Sequence, residues 1–266
     1  MQHPPVLFLA FANNPRKPLY TLEKESETIY RLLSPFAKQQ RIQIHREPFA
    51  SIDNITHHLM GHKNGVTLFH YGGHADSQNL FLKDQSANAE GIAHLLAQQK
   101  QLKLVFLNGC STRRQVQLLL KLGVPAVIAT SIPINDSGAS EFAETFYKAV
   151  VSGHTIGEAF SMAAAAVKTK GGQHPQAHRG VGSRNKEKET LPWGLYTNEG
   201  SILEETLIPP PRATGRKKNI LEDTDLEAGG NAQIGNKTSS EEDYDEMNAV
   251  RRSKIKVKGD FRLGDG

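Results

Sequence analysis

The sequence predicts an α/β fold with a mainly parallel central sheet covered by helices on both faces. Short continuous apolar runs, Val6–Ala12, Val66–Tyr71, Leu104–Leu107 and Pro125–Thr130, each end in turn-forming or small residues. Runs of that length and without alternation suit strands buried on both faces. Between them lie longer stretches with apolar residues at helical spacing, and strands alternating with helices imply right-handed crossovers. Two of the runs end in glycine followed by a reactive side chain: Gly72-Gly73-His74 and Gly109-Cys110. Open α/β sheets place their chemistry at such carboxyl ends.

The elements follow in order. After Val6–Ala12 and the turn Asn13-Asn14-Pro15, residues 22–36 carry Leu22, Ile29, Leu32 and Leu33 on one helical stripe, with acidic residues at the start, where the helix dipole favours them. Ile42–His45 alternates as a second strand. Ser51 is placed to cap a short helix. After Val66–Tyr71, Leu80–Leu82 reads as a short hairpin strand, and 89–99 as a helix with Ile92, Leu95 and Leu96 on one face. Residues 113–122 form the helix after Cys110, ended by Gly123. Helices over 140–151 and 155–167 follow, then an edge element at 191–196 whose Trp193 closes the core.

Beyond Leu207 the composition changes. Pro209-Pro210-Pro211 marks a boundary, and residues 209–266 hold 11 Lys/Arg against 11 Asp/Glu with few aliphatics. The expected organisation is one domain over 1–207, a disordered linker over 208–252 and a β-like tag over 253–266. The tag alternates with a turn at Gly259-Asp260, which suits a small hairpin or a strand added to another protein. No internal repeat stands out.

Of the 266 residues, 38% are apolar, enough for one sizeable core. No stretch of about 18 apolar residues occurs, so no membrane-spanning helix is expected. The start Met1-Gln2-His3-Pro4-Pro5 lacks a signal-peptide pattern, and a single cysteine suits a reducing, cytoplasmic setting. The net charge of +4 equals the excess within residues 168–189, six Lys/Arg against two Glu without an aromatic residue. That is a solvated basic loop rather than a nucleic-acid surface.

Cys110 as nucleophile and His74 as base form the leading chemical hypothesis, because a thiol attacks as its thiolate and needs a base beside it. The two residues are 36 apart, room for one strand–helix–strand crossover between adjacent parallel strands. The oxyanion donors would be the backbone N–H groups of Cys110 and of Gly73 or Ala75. The plainer alternatives are a buried structural thiol and a turn histidine. Zinc held by His70, His74 and Cys110 is a further alternative, though the two histidines straddle a Gly-Gly turn and no fourth ligand is evident. A nucleotide-binding fold predicts a glycine-rich loop after the first strand, where Ala12-Asn13-Asn14-Pro15 has none. No cofactor is expected.

The motifs Phe69-His70-Tyr71-Gly72-Gly73-His74 and Leu104-Val105-Phe106-Leu107-Asn108-Gly109-Cys110-Ser111-Thr112 resemble the CHAT-domain family, caspase-like cysteine peptidases related to separase, gingipain and the metacaspases. Val124–Ala129, Ile134–Tyr147 and Gly153–Phe160 resemble the family's later segments, so the likeness covers roughly residues 5–203. It implies a caspase-like α/β/α sandwich and a cysteine endopeptidase with His74 and Cys110 as its dyad, acting on protein substrates. It also implies an effector in bacterial defence or programmed death, recruited or activated by a protein partner through the C-terminal segment. One departure is Ala75, where the family usually has the glycine after the histidine. The N–H survives that change, but the backbone angles of a glycine need not. In related enzymes the loop holding Asp136 lines the primary specificity pocket, so a buried Asp136 would select Arg or Lys at P1. Its alternative is a cap for the following helix. Asp76 is a weaker substrate contact. With basic selectivity, Arg179, Arg184, Arg212, Arg216 and Arg251 become self-cleavage sites.

Overall fold

The computed structural model describes residues 4–14, 17–62, 65–83, 85–131, 134–169, 192–211, 217–234, 246–251 and 253–263. Most of the basic stretch 168–189, and Arg179, Arg184, Arg212 and Arg216, lie outside them. The chain divides into two compact units, Met1–Pro210 and Pro211–Gly266.

The first unit is a six-stranded sheet. Its strands are β1 (Val6–Ala12), β2 (Gln43–Glu47), β3 (Val66–Gly73), β6 (Leu104–Asn108), β7 (Ala126–Thr130) and β8 (Trp193–Thr197). The order is β2-β1-β3-β6-β7-β8, all parallel except the edge strand β8. A small antiparallel hairpin, β4 (Asn79–Phe81) with β5 (Ser86–Asn88), follows β3. The sequence leads to the four central strands because every residue of β1, β3, β6 and β7 is buried.

Alternation along these strands divides the core between two faces. Leu7, Leu9 and Phe11 point toward helices α1 (Leu22–Lys38), α5 (Asp136–Val151) and α6 (Ile156–Thr169). Val6, Phe8 and Ala10 point toward α2 (Ile52–Gly61), α3 (Ala89–Ala97) and α4 (Arg113–Lys121). Ser51 caps α2, its side chain accepting from the Asn54 N–H, and Gly123 takes the left-handed turn after α4 at φ +92°. The direction of winding reverses between β1 and β3, and ligands of open sheets bind at such a switch point. Trp193 of the antiparallel edge stacks on Phe142 of α5, ring centroids 4.5 Å apart and ring planes nearly parallel.

One boundary differs from the sequence reading. Helix α5 begins at Asp136, four residues before the expected Ser140, with Asn135 as its cap accepting from the Gly138 N–H. Asp136, Ser137 and Gly138 carry no apolar signal, so helical spacing could not reveal that first turn.

The second unit has strands β9 (Lys217–Glu222), β10 (Asp225–Ala228), β11 (Ala232–Ile234), β12 (Glu246–Arg251), β13 (Lys254–Val257) and β14 (Phe261–Leu263). Four of them fall where the sequence reading expects a linker. Of the alternatives for the C-terminal tag, the small hairpin is not seen among the described residues. β13 pairs with β10, β14 with β11 and β12 with β9, every pair parallel. Each pairing joins residues 29 apart, as Asp225 with Lys254 and Ala232 with Phe261. This register reveals a two-copy repeat that the sequence reading missed. Asn219-Ile220-Leu221 answers Asn248-Ala249-Val250, and Gly230-Asn231 answers Gly259-Asp260. The copies share an apolar and turn pattern but invert their charges, which hides the likeness from residue identity.

Candidate active site

β3 and β6 are neighbours, and their last registered pair is Gly72 with Asn108. Two residues further along each chain stand His74 and Cys110, so both leave the sheet at the same level of adjacent strands. The loops carrying them touch. A Cβ on Gly109 would lie 2.7 Å from the Ala75 Cβ and 3.0 Å from the Gly73 carbonyl oxygen. Only glycine permits that approach. Glycine is needed here for closeness, since Gly109 is not among the glycines at positive φ.

His74 is 6% exposed, and its ring Nε2 stands 2.7 Å from the Lys17 carbonyl oxygen. A carbonyl only accepts, so Nε2 carries the proton and the basic lone pair of the neutral ring is on Nδ1. The loop after β1 holds that carbonyl. The Asn13 side chain donates to the Leu19 carbonyl and accepts from the Leu19 N–H, while Asn14 and Lys17 form a β-bridge. The buried Tyr71 hydroxyl donates to the His74 carbonyl at 2.6 Å, fixing the backbone beneath the ring.

Cys110 is 1% exposed, and its Sγ accepts from the Ile134 N–H at 3.3 Å. Ser111 follows at φ +56°, a left-handed conformation that costs a non-glycine residue about 1–2 kcal/mol. Such strain persists where the surroundings over-determine it. Here the Thr130 hydroxyl donates to the Gly109 carbonyl, and the Thr130 N–H donates to Thr112 Oγ1 at 3.0 Å. The end of β7 thus pins the turn on both sides of Cys110.

The other expected site residues are brought less directly to this point. Ala75 is buried and bridged to Leu80, and it is not among the described non-glycine residues with positive φ, namely Gln40, Ser111 and Asp223. Alanine therefore fits without the special angles of a glycine. Asp136 is 3% exposed; its Oδ2 accepts from the Thr21 N–H at 2.8 Å, and its carbonyl accepts from the Thr21 hydroxyl. It ties α5 to the start of α1, two residues from the Ile134 amide that meets the sulfur. Asp76 Oδ1 accepts from the N–H groups of Gln78 and Asn79, both at 2.7 Å, and so closes the turn that leads from the Ala75–Leu80 bridge into β4.

Beneath the strand ends lies a buried polar network that the sequence did not announce. Asn108 Nδ2 donates to Glu25 Oε1 and to the Ala139 carbonyl, both at 3.0 Å, and Asn108 Oδ1 accepts from the Trp193 ring N–H. His70 stands between Glu25 (3.6 Å) and the Tyr147 hydroxyl (3.2 Å). Burial, and then the Glu25 carboxylate, push the Tyr147 phenol well above its usual range. His70 is a member of this network. The zinc alternative gains nothing: among the described residues the histidines that converge are His45, His58 and His62, not His70 and His74.

The CHAT-domain profile matches residues 2–198. The chain belongs to the CHAT-domain family. Its fold is that of caspase-like cysteine proteases. The complex of Porphyromonas gingivalis RgpB pro- and mature domains is similar over 83% of this chain and 52% of that one, at 16% identity and a TM-score of 0.51. The Arg-specific cysteine proteinase gingipain R is similar over 62% and 42%, at 16% identity and 0.46. A secreted C11 cysteine protease from Bacteroides thetaiotaomicron, in complex with an irreversible peptide inhibitor, is similar over 63% and 60%, at 7% identity and 0.47. The CHAT protein thus spans about half the length of these solved chains. A comparison with curated proteins gives no match. Among the described residues no helix is long and apolar enough to cross a membrane.

Proposed function

We propose that this CHAT protein is a cysteine endopeptidase with Cys110 as nucleophile and His74 as its base. The observation that carries the reading is the paired exit of the two side chains from adjacent strands, with Gly109 packed on Ala75 and the imidazole oriented by the Lys17 carbonyl. His74 Nδ1 takes the thiol proton as Sγ attacks a peptide carbonyl carbon. The oxyanion is held by backbone N–H groups of Cys110 and of Gly73 or Ala75. His74 returns the proton to the departing amine, leaving a thioester, and water then attacks that thioester to release the acid and the thiol. Because Cys110 is 1% exposed and its sulfur is met by the Ile134 N–H, a substrate reaches the sulfur only after a local rearrangement. A latent state opened by a protein partner is the regulation this burial suits, consistent with an effector role in defence or programmed death.

Selection of Arg or Lys at P1 by Asp136 is the finer reading. Its buried carboxylate, two residues from Ile134, favours it; the bond to Thr21 favours a structural role instead. The test is mass-spectrometric labelling of Cys110 by acyloxymethyl ketones carrying Arg, Lys, Asp or Leu at P1, in wild type and His74→Ala. Labelling by Arg and Lys probes that depends on His74 supports both readings. Labelling by Leu or Asp probes keeps the peptidase and removes the Asp136 pocket. Thiol reactivity equal in the two proteins favours a CHAT module that signals by binding.

A further inference from the structure

We infer that the Pro211–Gly266 unit is a stacking module whose partner is the same unit of a second copy of this chain. Its three pairings are parallel with one constant offset of 29 residues, so two successive stretches lie one upon the other as rungs of a solenoid. Among the described residues each of the three sheets has two strands. Each rung therefore pairs along one edge and presents the other, and such an edge is a template for a further strand.

Charge selects what stacks there. In β10 and β13 the residues alternate between exposed and half-buried. Leu226 and Ala228 register with Ile255 and Val257 on the inner side, while Asp225 and Glu227 register with Lys254 and Lys256 on the outer side. Opposite charges facing across paired strands are favourable, and like charges are not. The first rung is acidic and the second basic. The open edge of the basic rung presents the backbone register and the charges that the acidic rung already fits within the chain. A second copy docks there by its acidic rung. Two acidic or two basic edges repel, so the assembly runs head to tail and does not close on itself. The corner repeats as well: Asn231 Oδ1 accepts from the Asp260 N–H at 2.9 Å, and Asp260, its counterpart, carries an acceptor oxygen at the next level. A Cβ on Gly259 would collide with the Asn231 carboxamide, so the rungs meet closely there.

The test uses the full chain with Cys110→Ser, followed by sedimentation velocity and electron microscopy across a concentration series. The expected result is concentration-dependent growth into linear assemblies. Lys254→Glu with Lys256→Glu abolishes the growth. Adding Asp225→Lys and Glu227→Lys to that pair restores opposite charges within and between chains, and restores growth. The fully swapped chain excludes labelled wild type, because its first rung is now basic. A wild type that stays monomeric throughout, or mixed assemblies of wild type and swapped chain, overturns the inference. No readout depends on peptidase activity.

A separate observation carries a second proposal. The structure assigns a divalent transition-metal site, of the class that takes Zn²⁺, to His45 of β2 with His58 of α2 and His62, the residue that caps the end of α2. Their ligand nitrogens lie within 4.8 Å of one another, and the His45 and His58 ring centroids are 3.5 Å apart. His58 and His62 are four residues apart on one helical face. Glu47 Oε1 is 3.2 Å from Nε2 of both His45 and His58, as a ligand or as the carboxylate that orients ligating imidazoles. His62 Nε2 is a buried ring nitrogen with no hydrogen-bond partner among the described residues. Dialysis of the full chain against Zn²⁺ with elemental analysis, and Co²⁺ substitution followed by visible spectroscopy, test it. One ion per chain and a Co²⁺ spectrum without a thiolate charge-transfer band are expected, unchanged in Cys110→Ser and lost in His58→Ala with His62→Ala. Retention of the ion by that double variant, or no ion held by wild type, overturns it.

Discussion

The two units pair their strands by different rules. In Met1–Pro210, strands from distant parts of the chain meet through helical crossovers, and both faces of the sheet are covered. In Pro211–Gly266, two copies of one short pattern pair with each other at a single offset. The first arrangement spends its strands on burial, leaving chemistry to the ends where the chain leaves the sheet. In the second, the described strands β10 and β13 alternate exposed charged residues with half-buried apolar ones. A side chain lost from the first unit is therefore felt through packing. A charge changed in the second is felt through what the unit will pair with.

Breaking the comparison at its strongest point means removing the reacting groups. Cys110→Ala and His74→Ala should each lower peptide hydrolysis by at least about a thousandfold while leaving the unfolding midpoint near wild type. Hydrolysis unchanged by either substitution would remove the dyad.

Packing at the strand ends gives the next largest effect. Gly109→Ala forces a Cβ against Ala75 and the Gly73 carbonyl, and should cost about 1–3 kcal/mol in urea unfolding together with most probe labelling of Cys110. Asn108→Leu takes the amide donor from buried Glu25 and the acceptor from the Trp193 N–H. The expected loss is about 2–3 kcal/mol, and labelling should fall because Asn108 stands two residues before the thiol.

Tyr147 sharpens the same point through pH. Its phenol is held well above its ordinary value of 10.0 in the folded chain, so the unfolded chain releases the proton first. The stability this proton confers is complete below about pH 10 and is lost as pH climbs through the folded value. Tyr147→Phe should flatten that alkaline loss while costing about 1 kcal/mol at neutral pH, for the hydroxyl facing His70. Unfolding midpoints followed across alkaline pH would show it.

The smallest effect belongs to the second unit. Lys254→Glu with Lys256→Glu removes two cross-strand pairs of roughly 0.2–1 kcal/mol each, and should leave Cys110 labelling and the main unfolding transition unchanged. A shift of the main transition would mean that the two units do not respond separately.

Much of the first unit was legible because strands buried on both faces leave continuous apolar runs, and glycine before His74 and Cys110 marks two strand ends. Asp136 was legible as a residue that follows the end of β7, but neither its burial nor its bond to Thr21, 115 positions away, was. The repeat escaped because its copies conserve alternation and turns, not residue identity. His45, His58 and His62 escaped because they are ordinary polar positions of a strand and a helix until those elements pack together.

The sequence by itself determined which segments become central strands, where helices fill the crossovers, and that a histidine and the only cysteine stand at strand ends. Those outcomes follow from local periodicity and backbone preference. Tertiary structure alone decided that the Lys17 carbonyl orients His74, that the Ile134 amide meets the sulfur, that Asp136 ties α5 to α1, and that an acidic stretch lies on a basic one. Each of these depends on groups far apart in the chain, whose meeting is set by packing and register rather than by any neighbouring residue.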